Sequence, residues 1–157
     1  KNNLDIEIAN DNSPMQIVIS GLIKNINAAE NIFISSGVKR YVKLNVSAAF
    51  HSKYMNNAQS KLIYEIDKAN FKSPDIPIIS NYNAEINSDL KIVVDSLKKQ
   101  MSSKVKWTES INKLEKMNII KIIEIGPGKI LSGLILRISK KFDIISIDKI
   151  ADLEKLK

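Results

Sequence analysis

The segment Asn118 to Ile147 constrains this chain more than any other. Ile119 to Ile125 is an almost unbroken apolar run that ends in Gly126-Pro127-Gly128. Lys129 to Lys141 follows with helical spacing, and Asp143 to Ile147 closes the segment as a second β-branched run. A strand, a helix and a strand in that order predict a right-handed parallel unit. Continuous apolar strands of this kind require cover on both faces.

Upstream, Ile76 to Ser80 reads as a further short strand, with helices expected over Asp89–Met101 and Trp107–Met117. Alternating strands and helices predict an α/β core with a parallel sheet. Three strands are few for such a sheet, so the sequence alone already implies an incomplete one. Before it, Ile6–Asn10 and Gln16–Ser20 read as strands around the turn Asp11-Asn12-Ser13-Pro14. A helix over Leu22–Ser36 stops at Gly37, and Tyr41–Val46 is expected as a third strand. This strand–strand–helix–strand order fits part of a small α+β sandwich that lacks an earlier strand and helix. The expected division is residues 1–46 for the small subdomain and 47–157 for the rest. Tyr54–Ala69 reads as a helix with Met55, Leu62 and Ile66 on one side.

Composition removes several function classes. The chain of 157 residues is 44% hydrophobic and has no cysteine, which excludes disulfides, thiolate catalysis and Cys-ligated metals. No apolar run is long enough to span a bilayer, and the charged start Lys1–Glu7 lacks a signal-peptide core. A cytoplasmic location is expected. The net charge is +7, yet only Arg40 and Arg137 are arginines and the lysines are dispersed. A solvated basic surface, able to steer an acidic partner, explains that charge better than nucleic-acid reading.

The lone histidine, His51, lies in the small-residue loop Ser47–Lys53 after the expected third strand. Loops at strand ends favour catalytic groups, and imidazole is suited to proton transfer near neutral pH. A packed or exposed structural histidine is the plain alternative. Gly126-Pro127-Gly128-Lys129 precedes a helix but lacks the phosphate-loop frame, and reads as a tight structural turn. The Trp107 segment reads as core.

Four segments, in order, resemble the malonyl-CoA:acyl carrier protein transacylases. VSAAFHSKYM resembles the family's V-S-x-x-x-H-x-x-x-M segment, and NDNSPMQIVISG its N-S-P-x-Q-x-V-I-x-G segment. VKWTESI resembles V-x-W-T-x-S, and EIGPGKILSGL resembles E-x-G-P-G-K-x-L-x-G-L. The resemblance implies the C-terminal half of a hydrolase-like α/β acyltransferase core with part of a ferredoxin-like subdomain. It also implies transfer of malonate, in fatty acid biosynthesis, from coenzyme A to the phosphopantetheine thiol of acyl carrier protein through an acyl-serine. His51 falls on the general base. Gln100 falls on the glutamine whose backbone carbonyl accepts the other imidazole N–H. Asn12 and Gln16 fall on positions approaching coenzyme A, although a turn amide and a strand-edge amide would read the same way. Asn10 and Val46 are further pocket candidates. Lys53, Lys104 and Lys106 would form a basic rim for the carrier protein or be plain solvated lysines. No metal or redox cofactor is implied; coenzyme A and phosphopantetheine are substrate carriers.

The chain contains no G-x-S-x-G elbow, and Arg40 and Arg137 lie in the wrong segments to be the family's carboxylate-gripping arginine. The expectation is therefore a partial chain whose missing parts precede Lys1, inactive alone. A split enzyme completed by a serine-bearing partner, or a carrier-protein-binding module, are the alternatives.

Overall fold

The computed structural model describes residues 4–157. Lys1 to Asn3, the first residues of the charged start and of the expected 1–46 unit, lie outside the described residues.

Strands β1 (Ile6–Ser13) and β2 (Gln16–Gly21) form an antiparallel hairpin around Pro14-Met15. The turn is tighter than expected, because Asp11, Asn12 and Ser13 belong to β1. Ile8 pairs with Ile19 and Asn10 with Val18, then Asp11 with Ile17 and Ser13 with Gln16. Ala9 and Asn12 are thus extra residues on β1, bulges that bend the strand and re-aim side chains. The other edge of β1 is used by Val105, whose N–H donates to the Ala9 carbonyl at 2.8 Å while its carbonyl accepts from Asp11 N–H at 2.9 Å.

Helix α1 (Ile23–Ser35) ends as its sequence dictates. Gly37 adopts φ +96°, and the N–H groups of Gly37 and Val38 return to the carbonyls of Ile34 and Phe33. That pair of bonds satisfies the orphan carbonyls of the last turn. Gly37→Ala is expected to lower stability by about 1 kcal/mol, read from the denaturation midpoint, because a Cβ is disfavoured at positive φ.

Tyr41–Val46 is not a strand, contrary to the expectation. It has no ladder partner among the described residues, and the free edge of β1 is taken by Val105. Side chains alone hold it along α1: Tyr41 OH donates to the Ile26 carbonyl at 2.7 Å, its ring stacks on Phe33, and Lys43 pairs with Glu30 at 2.7 Å. Val42, Leu44 and Val46 remain exposed.

After a single 3-10 turn at Lys53–Met55 comes α2 (Asn56–Lys68). The Ile76–Ser80 segment does not join a parallel sheet. Ile78–Ile79 (β3) pairs antiparallel with Ile86–Asn87 (β4). The cause is local: Ser80 Oγ and Asn83 Oδ1 accept from the N–H groups of Tyr82 and Glu85 and fold the chain straight back. Helix α3 (Leu90–Lys99) is capped by Asp89, which accepts from Ile92 N–H at 3.0 Å.

Helix α4 (Trp107–Lys116), β5 (Lys121–Ile125), α5 (Ile130–Ile138) and β6 (Asp143–Ile147) form the anticipated unit, with β5 and β6 parallel in register from Lys121–Asp143 to Ile125–Ile147. A 3-10 segment, Ile150–Leu156, follows. Ile111, Ile135 and Phe142 make the core, with Trp107, Leu114, Ile122, Ile138 and Ile144 packed on it. Strand alternation therefore commits Ile122 to the covered face and leaves Ile123 and Ile125 exposed, Ile125 at 82%. Glu124, 9% exposed, points the same way as Ile122 and receives the N–H groups of Leu131 and Ser132, each at 2.9 Å, and the Ser132 hydroxyl. It thereby caps α5, whose own N-cap Lys129 makes no side-chain cap bond.

Candidate active site

His51 sits on a turn between the extended 41–46 segment and the 3-10 turn, with φ +57°. For a residue with a Cβ this left-handed conformation costs energy and must be held by its surroundings. Two bonds to the end of α3 hold it. The His51 N–H donates to the Met101 carbonyl at 3.1 Å, and Nδ1 lies 3.1 Å from the Gln100 carbonyl oxygen. Ser52, wholly buried, ties the same turn together by donating to the Ala49 carbonyl at 2.6 Å.

The Gln100 bond has a chemical consequence. A carbonyl oxygen can only accept, so Nδ1 must carry the proton and the neutral ring presents its lone pair at Nε2. No hydrogen bond among the described residues engages Nε2. Gln100 caps the C-terminus of α3, where the last carbonyls lack intrahelical partners and carry partial negative charge. The Gln100 side chain is separate from this role: its Nε2 is buried with no partner.

The loop after α3 is fixed from two sides. Gln59 on α2 accepts from Ser102 N–H at 2.9 Å and Ser102 Oγ at 2.8 Å, and Val105 docks on β1. Thr108, in the first turn of α4, donates to Asp11 Oδ1 at 2.7 Å. Sequence reading missed Gln59, Met101 and Val105 in this scaffold: Met101 and Val105 act through backbone atoms, which leave no mark on residue type, and the Gln59 side chain meets a partner far along the chain.

Of the sequence-predicted residues, the structure joins His51 directly to Gln100; Asn10 is the bridge partner of Val105, which lies farther along the loop that Gln100 and Met101 begin. Asn12 is the second bulge of β1, and Gln16 opens β2, so both lie at the hairpin tip. Gln16 Oε1 accepts from Arg137 Nη1 at 2.6 Å. Val46 is 61% exposed on the unpaired segment. None of the hydrogen bonds among the described residues links Asn12, Gln16 or Val46 to His51. The three lysines of the expected rim are each paired: Lys53 with Asp5, and Lys104 and Lys106 with Glu109 at 4.0 and 3.4 Å. Gly126 and Gly128 have positive φ, as the tight-turn reading requires. Among the described residues, no cluster of acidic and histidine side chains suits a metal ion, and no helix is long and apolar enough to cross a membrane.

No family model matches the chain. It is 39% identical over 142 residues to a malonyl CoA-acyl carrier protein transacylase of Bacillus subtilis, covering 90% of this chain and 45% of that protein. It is also 31% identical to the transacylase of Synechocystis, over 98% of this chain and 52% of that protein. Among solved structures, an acyl carrier protein S-malonyltransferase from Vibrio cholerae superposes with a TM-score of 0.92 at 33% identity, over 97% of this chain and 50% of that one. A malonyl-transacylase solved in complex with a type II polyketide acyl carrier protein gives a TM-score of 0.92 at 28% identity, again over 50% of its length. In sequence and in fold this chain is a homologue of the malonyl-CoA:acyl carrier protein transacylases, matched over about half of their length.

Proposed function

We propose that this chain supplies the general-base half of a malonyl-CoA:acyl carrier protein transacylase of fatty acid biosynthesis, acting in the cytoplasm. The observation that carries the reading is the His51–Gln100 bond, which dedicates Nδ1 to a carbonyl and leaves Nε2 to accept a proton. In the first half-reaction Nε2 takes the proton of a serine hydroxyl as its oxygen attacks the malonyl thioester carbonyl. The C–S bond breaks, and the coenzyme A sulfur leaves with the proton held on His51. In the second, Nε2 takes the proton of the pantetheine thiol, whose sulfur attacks the acyl-serine, and the serine oxygen recovers the proton. The atoms balance without a metal or redox cofactor. On this reading Asn10, Asn12, Gln16 and Val46 line the approach of the substrate carriers, and residues 1–46 belong to a small subdomain beside the 47–157 core.

The serine is not among these residues, so the reading requires a second polypeptide segment bearing the elbow. The surface supports that requirement. The chain exposes 11028 Å². A folded monomer of 17.6 kDa is expected to expose about 7,900 Å². The excess of about 3,000 Å² on this chain corresponds to about 6,000 Å² once a partner's matching surface is counted, at the large end of obligate interfaces. Apolar surface exposed on this chain includes the open face of β5 at Ile123 and Ile125, and Val42, Leu44 and Val46.

The isolated chain, incubated with malonyl-CoA and weighed intact, is expected to keep its unmodified mass. A stable malonyl adduct would contradict the reading. A carrier-protein-binding module is favoured less, because each cation of the expected rim already faces a carboxylate.

A further inference from the structure

We propose that Asp5 and Glu7 are positioning residues for His51, acting through Lys53 and Tyr54. The proposal rests on the reading of His51 as the base. Three donors from two consecutive residues converge on these two carboxylates. Lys53 Nζ pairs with Asp5 Oδ1, Tyr54 OH donates to Asp5 Oδ2 at 2.6 Å, and Lys53 backbone N–H donates to Glu7 Oε2 at 3.1 Å. Asp5 immediately precedes β1, in a turn closed by the Ile6 N–H and the Leu4 carbonyl at 3.1 Å, and Glu7 is the second residue of the strand. The end of β2 passes close to the Asp5 backbone: a Cβ at Gly21 would come within 2.9 Å of the Asp5 carbonyl oxygen.

The charges suit a standing latch. The Lys53 bond first, and then the Tyr54 bond, hold the Asp5 carboxyl below its ordinary range. Asp5 raises both Lys53 and Tyr54 above their ordinary values, because its carboxylate accepts the proton-bearing bond from each. Lys53 and Asp5 are about half exposed, and ion pairs of that kind add little to global stability. Their effect is local. His51 carries a strained backbone held on one side by the carbonyls of Gln100 and Met101. The carboxylates grip Lys53 and Tyr54, which follow it closely in the chain, so the His51 turn is tied both to the end of α3 and to the segment leading into β1. The arrangement also assigns Lys53 inward, to the latch and away from a docking rim.

His51 is the sole histidine of the chain, so its ring signals are unambiguous in nitrogen-15 NMR of the intact chain. The parent chain is expected to show one neutral tautomer with a protected Nδ1–H. The Asp5→Asn, Glu7→Gln double variant is expected to mix tautomers and speed Nδ1–H exchange about fivefold. The amides of Ile111 and Ile135 should keep their protection, and Asp5→Glu with Glu7 intact should restore the parent ring spectrum. A folded double variant with an unchanged ring overturns the proposal. Should the double variant fail to fold, Tyr54→Phe removes one donor alone; tautomer mixing there supports the latch and an unchanged ring overturns it. The base reading fails separately, if His51→Ala leaves transfer intact in the completed enzyme, and the ring spectra do not depend on that result.

Discussion

His51→Ala lowers kcat by about 1,000-fold or more once the chain is combined with a polypeptide that spans the remaining half of a relative and bears the serine elbow. The magnitude follows from the role. Without an acceptor at Nε2 the serine must lose its proton to water, and both half-reactions suffer because the same nitrogen serves each. Stopped-flow or discontinuous transfer to acyl carrier protein reads the loss. KM should change little, since His51 grips neither carrier. Gln100→Ala is the matching control. The bond to His51 comes from the backbone carbonyl, and the side-chain amide nitrogen is buried without a partner. Truncation therefore removes an unpaired donor and leaves the imidazole bond in place, so kcat should fall less than about tenfold. A loss as large as that of His51→Ala would mean that the glutamine side chain, and not its carbonyl, carries the function.

Glu124→Ala is expected to be the most damaging change away from the site, at about 2 kcal/mol or more, because it strips the buried Ser132 N–H and the part-buried Leu131 N–H of their acceptor and leaves the Ser132 hydroxyl only Ser146 Oγ. Burial alone would push the Glu124 carboxyl up. The bonds from the Ser132 hydroxyl, the Ser132 N–H and the Leu131 N–H outweigh it and bring the carboxyl below its ordinary value of 4.5. A carboxyl lowered in the folded state binds its proton more readily when unfolded. Its stabilisation is therefore complete above that ordinary value and is lost as pH falls through the depressed folded one. Asp5, Glu115 and Asp152 are lowered as well and share the acid limb. The difference between the parent and Glu124→Gln across that limb isolates Glu124: the parent should lose more stability on acidification. Equal acid sensitivity in denaturant titrations would count against the cap.

The βαβ unit from Lys121 to Ile147 was legible because its signals are local: an apolar strand, a glycine turn, a helical period and a second strand. The His51–Gln100 pair was legible only through resemblance, since nothing in a glutamine announces that its carbonyl is the working atom. The errors have a common cause. Tyr41–Val46 and Ile76–Ser80 both have strand composition, but a strand is defined by its neighbour. Tyr41–Val46 finds none here, and Ile78–Ile79 finds one a few residues away through the Ser80 and Asn83 turns. Glu124 reads as an interruption of an apolar run until α5 is seen to need its carboxylate. Asp5 and Glu7 announced nothing in the sequence, because their partners lie 48 and 46 residues away.

The most direct measurement is intact-mass analysis of both polypeptides after this chain, its serine-bearing complement and malonyl-CoA are mixed without carrier protein. The malonyl group should appear on the complement alone, promptly with His51 present and far more slowly with His51→Ala. Malonate bound to this chain, or equally fast labelling of the complement without His51, would contradict the assignment of a base that works on a serine from elsewhere.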